Sequence, residues 1–330
     1  MRESAVVFLS SVAGCLIVGH WAVRWLHRAQ CLSSERFMDC PPLSTYQAAK
    51  RGIPTMGGLF VLGVAALMAL MAGGCSSREG WLVFGAVVML GLIGWVDDYM
   101  KLRGIGAPGL RARPKLLVTL LIGGALGLGV ATAPVSQRFL ELPWASHHLL
   151  LGWEWIPFAM VVMAGCAHAV NLTDGMDGLA TGCLAVAFGV LGVIVARGHA
   201  PSTSLFLWCA SLAGACVGFL WFNSVPATVF LGDVGALGLG GALGAISLLA
   251  HTALWLVVVG GVFVIEALSV VLQVASYRWR GKRRIFRVAP IHHHFQLGGM
   301  AESKLVVRFW IVAVLCGVFG LAVLKEHTSP

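Results

Sequence analysis

The chain has 330 residues, 58% of them hydrophobic and only 11% charged, with 42 glycines and a formal net charge of +9. A soluble globular protein carries roughly 25% charged residues and less than half apolar ones, so this composition excludes that class, together with disordered, disulfide-scaffold and collagen-like chains. One bilayer-spanning helix takes about 20 apolar residues, which leaves room for about ten.

Ten apolar runs occur in chain order, near residues 5 to 26, 54 to 74, 81 to 96, 115 to 134, 153 to 170, 179 to 196, 203 to 222, 234 to 250, 254 to 273 and 305 to 324. None alternates with period 2, and a barrel strand would need only about 10 residues, so an all-α polytopic membrane protein is expected. The first run exceeds the core of a signal peptide and leads into Trp25, His27 and Arg28 instead of a small-residue cleavage site, so it reads as a span. The third run is short. The eighth carries Gly235, Gly238, Gly240, Gly241 and Gly244, which suit close helix packing as well as lipid. No fixed-period repeat or low-complexity linker divides the chain, and residues 1–330 read as a single membrane domain.

Ten spans place 18 Lys and Arg on one side of the membrane and 5 (Arg2, Arg78, Arg138, Arg197, Lys325) on the other. The richer side is expected to be cytoplasmic, with both termini outside. Because the surplus sits in loops beside the membrane, the +9 charge points to anionic headgroups or phosphorylated substrates and away from nucleic acid. The nine cysteines are scattered, without a CxxC pair, and read as small hydrophobes.

Only 14 acids occur, and their placement is informative. Asp97 and Asp98 (GWVDDYMK), Asp174 and Asp177 (NLTDGMDGLATG) and Asp233 (VFLGDVGALGLGG) all fall at the inner ends of spans or in adjoining loops. Adjacent carboxylates leave a helix about 100° apart, so Asp97 and Asp98 can serve two partners. Asp174 and Asp177, three apart, would share a face of a helical turn. Helix N-capping is the plain alternative, above all for Asp177 and Asp233. As a set they favour function, since ionisable groups at membrane depth are costly. Carboxylates without Cys or clustered His suit a hard ion, and Mg²⁺ takes one or two carboxylates plus phosphate oxygens. That combination suggests phosphoryl transfer, for which cations are also needed. Lys50, Lys115 and the stretch RWRGKRRIFR, residues 278–287, are candidates, although positive-inside anchoring accounts for most of that stretch. In APIHHHF, an extended segment would turn His292 and His294 to one side and His293 to the other, in reach of a polar substrate. Glu266, alone within a span, is expected to form a buried hydrogen bond.

KRGIPTMGG, GWVDDYMK, NLTDGMDGLATG, NSVPATVFLGD and APIHHHF, in this order from Lys50 to Phe295, resemble the bacterial phospho-N-acetylmuramoyl-pentapeptide transferases. These form a family of the polyprenyl-phosphate N-acetylhexosamine 1-phosphate transferase superfamily. The resemblance implies ten helices with both ends outside and an active site at the cytoplasmic face of the inner membrane. It implies Mg²⁺-dependent transfer of phospho-MurNAc-pentapeptide from UDP-MurNAc-pentapeptide to undecaprenyl phosphate, giving lipid I and UMP, and it is compatible with a homodimer. By motif position Asp233 would be the metal ligand and Asp97 and Asp98 would act on the lipid phosphate. Lys50, Thr55, Lys115, Asn171, Asp174, Asp177, Asn223, Phe230, His292, His293 and His294 would line the substrate pocket, with Phe230 able to stack a uracil ring. The chain departs from the family pattern at Gln47, Ile53, Val234, Ala236 and Gln296, none of which removes a catalytic aspartate.

Two other readings compete. A sister enzyme transferring GlcNAc 1-phosphate shares the metal chemistry, but the HHHF loop argues against it. A secondary transporter also uses intramembrane acids and glycine-rich helices, yet holds them near the midplane, whereas here they gather at one edge. For the chemical step, direct attack by the lipid phosphate and a covalent aspartyl-phosphate intermediate are both open.

Overall fold

The computed structural model describes residues 2–32, 50–105, 109–145 and 148–324. Among them, nine helices are long and apolar enough to cross a membrane: α1 (Arg2–Arg28), α3 (Arg78–Arg103), α4 (Ala112–Ala131), α5 (Trp155–Thr173), α6 (Leu179–Arg197), α7 (Thr203–Asn223), α8 (Gly232–Leu249), α10 (Gly261–Trp279) and α12 (Glu302–Val323). Three shorter helices complete the set, α2 (Gly58–Met71), α9 (Trp255–Val259) and α11 (Ile291–Gln296). Two-residue strands β1 (Phe139–Leu140) and β2 (Leu149–Leu150) pair between α4 and α5. The protein is an all-α polytopic membrane protein, and every apolar run contains a helix.

Three runs differ in extent from the sequence expectation. The second, expected over 54 to 74, is helical only over the 14 residues of α2, about 21 Å against a hydrocarbon core of about 30 Å. Its first residues instead pair with the backbone before α8: Phe230 N–H donates to Pro54 O, Gly57 N–H to Phe230 O and Gly58 N–H to Leu231 O, each at 2.8 Å. Irregular backbone at this depth is tolerated because it is enclosed by protein. The third, expected to be short, is 26 residues long. Ser77 Oγ accepts the Gly80 N–H at its start and Gly104 closes it in the left-handed conformation, so charged residues end the apolar run but not the helix. The ninth is broken at Gly260 into α9 and α10.

Helix α8 is the axis of the bundle. Every residue from Gly232 to Leu248 is buried, which settles the purpose of its glycines as packing against protein. A Cβ on Gly58 would lie 2.2 Å from Gly235 Cα, and one on Gly94 2.2 Å from the Asp233 carbonyl oxygen. These contacts press α2 and α3 against the start of α8, where Asp233 stands.

Candidate active site

Asp97 and Asp98 occupy the last two turns of α3, and Asp233 the first turn of α8. All three are buried, and one oxygen from each lies within 4.8 Å of the others. Asp97 and Asp98 do serve different partners: Asp97 Oδ1 accepts the Leu110 N–H at 2.6 Å, and Asp98 Oδ2 accepts the Val234 N–H at 3.2 Å. Gly232, at φ +74°, brings the chain past Asp98; a Cβ there would be 2.5 Å from Asp98 Oδ2, so this turn requires glycine.

Two lysines stand inside the triad. Lys115 Nζ, from the start of α4, lies 2.8 Å from Asp97 Oδ2 and 2.7 Å from Asp233 Oδ2. Lys101 Nζ lies 2.6 Å from Asp97 Oδ2, 3.1 Å from Asp233 Oδ1 and 3.8 Å from Asp98 Oδ1. Among the described residues, three carboxylates of this cluster thus face two lysine ammonium groups, an excess of one negative charge. A hard divalent cation fits such a donor set, since it would turn the site net positive and attractive to phosphate. Sequence reasoning missed Lys101, although its spacing of four and three from Asp97 and Asp98 on one helix was a readable signal.

A second cluster joins three distant segments. Lys50 Nζ lies 2.5 Å from both Asp177 Oδ1 and Glu302 Oε1, at the start of α12. Glu302 Oε1 also accepts the Asp177 N–H at 3.0 Å, and Asp177 Oδ2 accepts the Ala227 N–H at 3.0 Å. Glu302 carried no signal in the sequence. Asp174 and Asp177 do not share a helical turn. Asp174 is the C-cap of α5 and Asp177 lies in the turn before α6, because Gly175 and Gly178 interrupt the helix between them. Neither Asp177 nor Asp233 is the N-cap of its helix: Gly178 and Leu231 hold those positions, and neither makes a side-chain cap bond.

Asn223 braces the fold: its Oδ1 accepts from Gly178 N–H and Thr181 Oγ1, and its Nδ2 donates to Val229 O. Thr55 is buried beside Gly232, with its hydroxyl unpartnered among the described residues. Phe230 and Asn171 are half-buried, Asn171 in the last turn of α5.

The HHH segment is helical, not extended. It forms α11, one short turn anchored by Pro290 O accepting the His293 N–H at 3.1 Å. His292 and His293 are therefore both buried, with ring centroids 4.1 Å apart, while His294 faces away and accepts the Arg287 N–H at 3.1 Å. His292 Nδ1 meets Glu266 Oε2 at 3.0 Å, both side chains fully buried, which is the buried hydrogen bond expected of Glu266. A Cβ on Gly175 would lie 2.4 Å from His292 Nε2 and 3.3 Å from His293 Nε2, so both rings are aimed at the Asp174–Asp177 turn. Burial, then the neighbouring His292 ring, pulls the His293 pKa down to about 3, so this ring is neutral at pH 7.

The glycosyl transferase family 4 profile matches residues 80–251, which include all three triad aspartates. Over 332 residues the chain is 42% identical to the phospho-N-acetylmuramoyl-pentapeptide-transferase of Pelobacter propionicus, covering 96% of this chain and 91% of that one. It is 40% identical to the enzyme of the same name from Oleidesulfovibrio alaskensis, over 98% and 93% of the two chains. The chain belongs to the phospho-N-acetylmuramoyl-pentapeptide-transferase family. A further member, from Desulfotalea psychrophila, is 44% identical over 84% of this chain and 81% of its own.

Membership makes this transferase a multi-pass protein of the bacterial inner membrane and removes the transporter reading. Two of its departures from the family pattern sit at packing positions. Val234 and Ala236 are buried along α8, where Val234 contributes its backbone N–H to Asp98. Gln296 Oε1 lies 3.0 Å from His293 Nδ1, and Ile53 is half-buried. Gln47 lies outside the described residues.

Proposed function

We propose that this transferase moves phospho-MurNAc-pentapeptide from its UDP carrier to undecaprenyl phosphate, releasing UMP and forming lipid I at the cytoplasmic face. The observation that carries the reading is the meeting of Asp97, Asp98 and Asp233 with Lys101 and Lys115 at one end of the bundle. An apolar acceptor must arrive from lipid while its phosphate meets a water-soluble nucleotide, and only a site at a membrane edge serves both. Termini outside, one membrane domain and a homodimer belong to the same proposal.

Asp233, with Asp97 and Asp98 beside it, would hold Mg²⁺, which supplies the divalent charge that lets two anionic phosphates approach. Lys101 and Lys115 complete that screening from the protein side. An oxygen of the lipid phosphate attacks the donor's β-phosphorus, and the bond from that phosphorus to the bridging oxygen breaks as UMP leaves. Of the two aspartates of α3, Asp98 orients the attacking phosphate and takes up its proton. The surroundings of Asp97 speak against an aspartyl-phosphate formed on that residue. Asp97 is fully buried, with Oδ1 on the Leu110 amide and Oδ2 between the two lysines, so neither oxygen is open to in-line attack on phosphorus. Lys50, Asp177 and the His292–His293 pair line the donor side, and Thr55 and Phe230 the approach to α8.

The test is transfer of radiolabelled sugar phosphate from UDP-MurNAc-pentapeptide and from UDP-GlcNAc to undecaprenyl phosphate, with and without Mg²⁺. Product from the first donor only, and only with Mg²⁺, is expected. Product from UDP-GlcNAc alone would move the chain to the sister chemistry, and absence of both would defeat the assignment.

A further inference from the structure

We infer that residues 278–287 form a shaped binding element for anionic phospholipid headgroups, beside the transferase site. No acid occurs between Glu266 and Glu302. In the same interval Arg278, Arg280, Lys282, Arg283, Arg284 and Arg287 are all exposed, and none joins an ion pair among the described residues. A run of cations without counter-charges is a surface that attracts phosphate-bearing partners.

The segment does not run out into water. Gly281 and Lys282, at φ +62° and +65°, reverse the chain just after α10. Gln273 then fixes the returning strand. Its Oε1 accepts the N–H groups of Ile285 and Phe286, both at 3.0 Å, and its Nε2 donates to Phe286 O at 2.9 Å. Ser276 Oγ adds a bond to Arg283 O at 2.9 Å. Gln273 precedes the helix end by six residues, so the basic hairpin is drawn back by about 9 Å along α10. At the far end Arg287 Nη1 donates to Leu297 O at 2.8 Å, which ties the hairpin to the segment after α11.

The surface it is drawn along belongs to lipid. Leu268, Val271, Leu272 and Val274 of α10 are at least half exposed, and Trp279 at its tip is 80% exposed. An apolar flank ending in tryptophan marks the level of the headgroups. Height decides the outcome here, because attraction between a cation and a charged leaflet decays over about 8 Å at physiological ionic strength. A hairpin held back by about that distance keeps its cations among the phosphates. Orienting the chain in the membrane requires only that the charges be on this side of it, and a glutamine committed to three hydrogen bonds is superfluous for that purpose.

The test uses the full-length transferase in detergent, with phosphatidylglycerol or phosphatidylcholine added and retained lipid counted by native mass spectrometry. The wild type is expected to retain phosphatidylglycerol preferentially. Replacing Arg280, Arg283 and Arg284 by Gln should cut that preference at least about tenfold, given the attraction each near-surface cation supplies. Gln273→Ala, which leaves the charge intact and frees the hairpin, should lose most of it too. Equal retention of the two lipids by the wild type would overturn the proposal. So would an undiminished preference in Gln273→Ala, since plain surface charge would then suffice, or displacement of the lipid by UDP, which would assign the cations to the soluble donor.

Discussion

Asp98 caps a helix 136 residues away: its Oδ2 accepts the Val234 N–H at 3.2 Å, in the first turn of α8. The same carboxylate therefore joins the two halves of the triad and contributes to its charge. These roles separate by substitution. Asp98→Asn keeps an acceptor for the amide and should fold as the wild type does while losing about 100-fold or more in turnover. Asp98→Ala should also lose about 1 kcal/mol of stability, the usual value of a cap. Thermal unfolding of the two variants side by side is the check, and equal midpoints would remove the capping role.

Lys115 and a divalent cation compete for the same oxygens, Asp97 Oδ2 and Asp233 Oδ2. Lys115→Met should therefore bind Mg²⁺ more tightly while its kcat falls about 100-fold or more, because the cation that screens the developing phosphate charge is gone. The check is the Mg²⁺ dependence of transfer. Half-saturation moved to higher Mg²⁺ concentration would instead mean that Lys115 helps to build the metal site.

The close approach of α3 to α8 at Gly94 leaves no room for a methyl group, with the Asp233 carbonyl oxygen 2.2 Å from where it would be placed. Gly94→Ala should cost about 1 to 3 kcal/mol through overpacking and should lower transfer by moving Asp233. Unfolding midpoint and activity measured on one preparation test both; an unchanged midpoint would show that the helices can part freely.

His293 is held neutral by burial, with its pKa lowered to about 3 from 6.5. A folded-state pKa below the unfolded one contributes stability that is complete above about pH 6.5 and is lost as pH falls toward 3. The wild-type unfolding midpoint should drop on acidification from pH 7 to pH 5, and His293→Gln should show a shallower drop. Parallel profiles would place the acid sensitivity elsewhere.

The architecture was legible because lipid imposes a simple rule, an apolar run wherever the chain crosses, and all ten runs contain helices. What it could not convey was where helix yields to other hydrogen bonding. Residues 54–58 lie in an apolar run but bond to Phe230 and Leu231, partners far along the chain. Asp97, Asp98 and Asp233 stood out as acids in an apolar chain, whereas Glu302 at the head of the last span looked like any solvated terminus until Lys50 was found against it. The histidine run illustrates the limit of local pattern: alternation was a fair reading of three consecutive polar rings, and a single turn after Pro290 reversed which two of them are buried.

The central claim is that α3 and α8 together hold one divalent cation between Asp97, Asp98 and Asp233. Titration of the full-length protein with Mn²⁺ as a spectroscopic substitute for Mg²⁺, followed by electron paramagnetic resonance, counts such sites directly. One tight site per chain in the wild type, absent when all three aspartates are changed to Asn, is the expected result. The same stoichiometry and affinity in that triple variant would contradict the account.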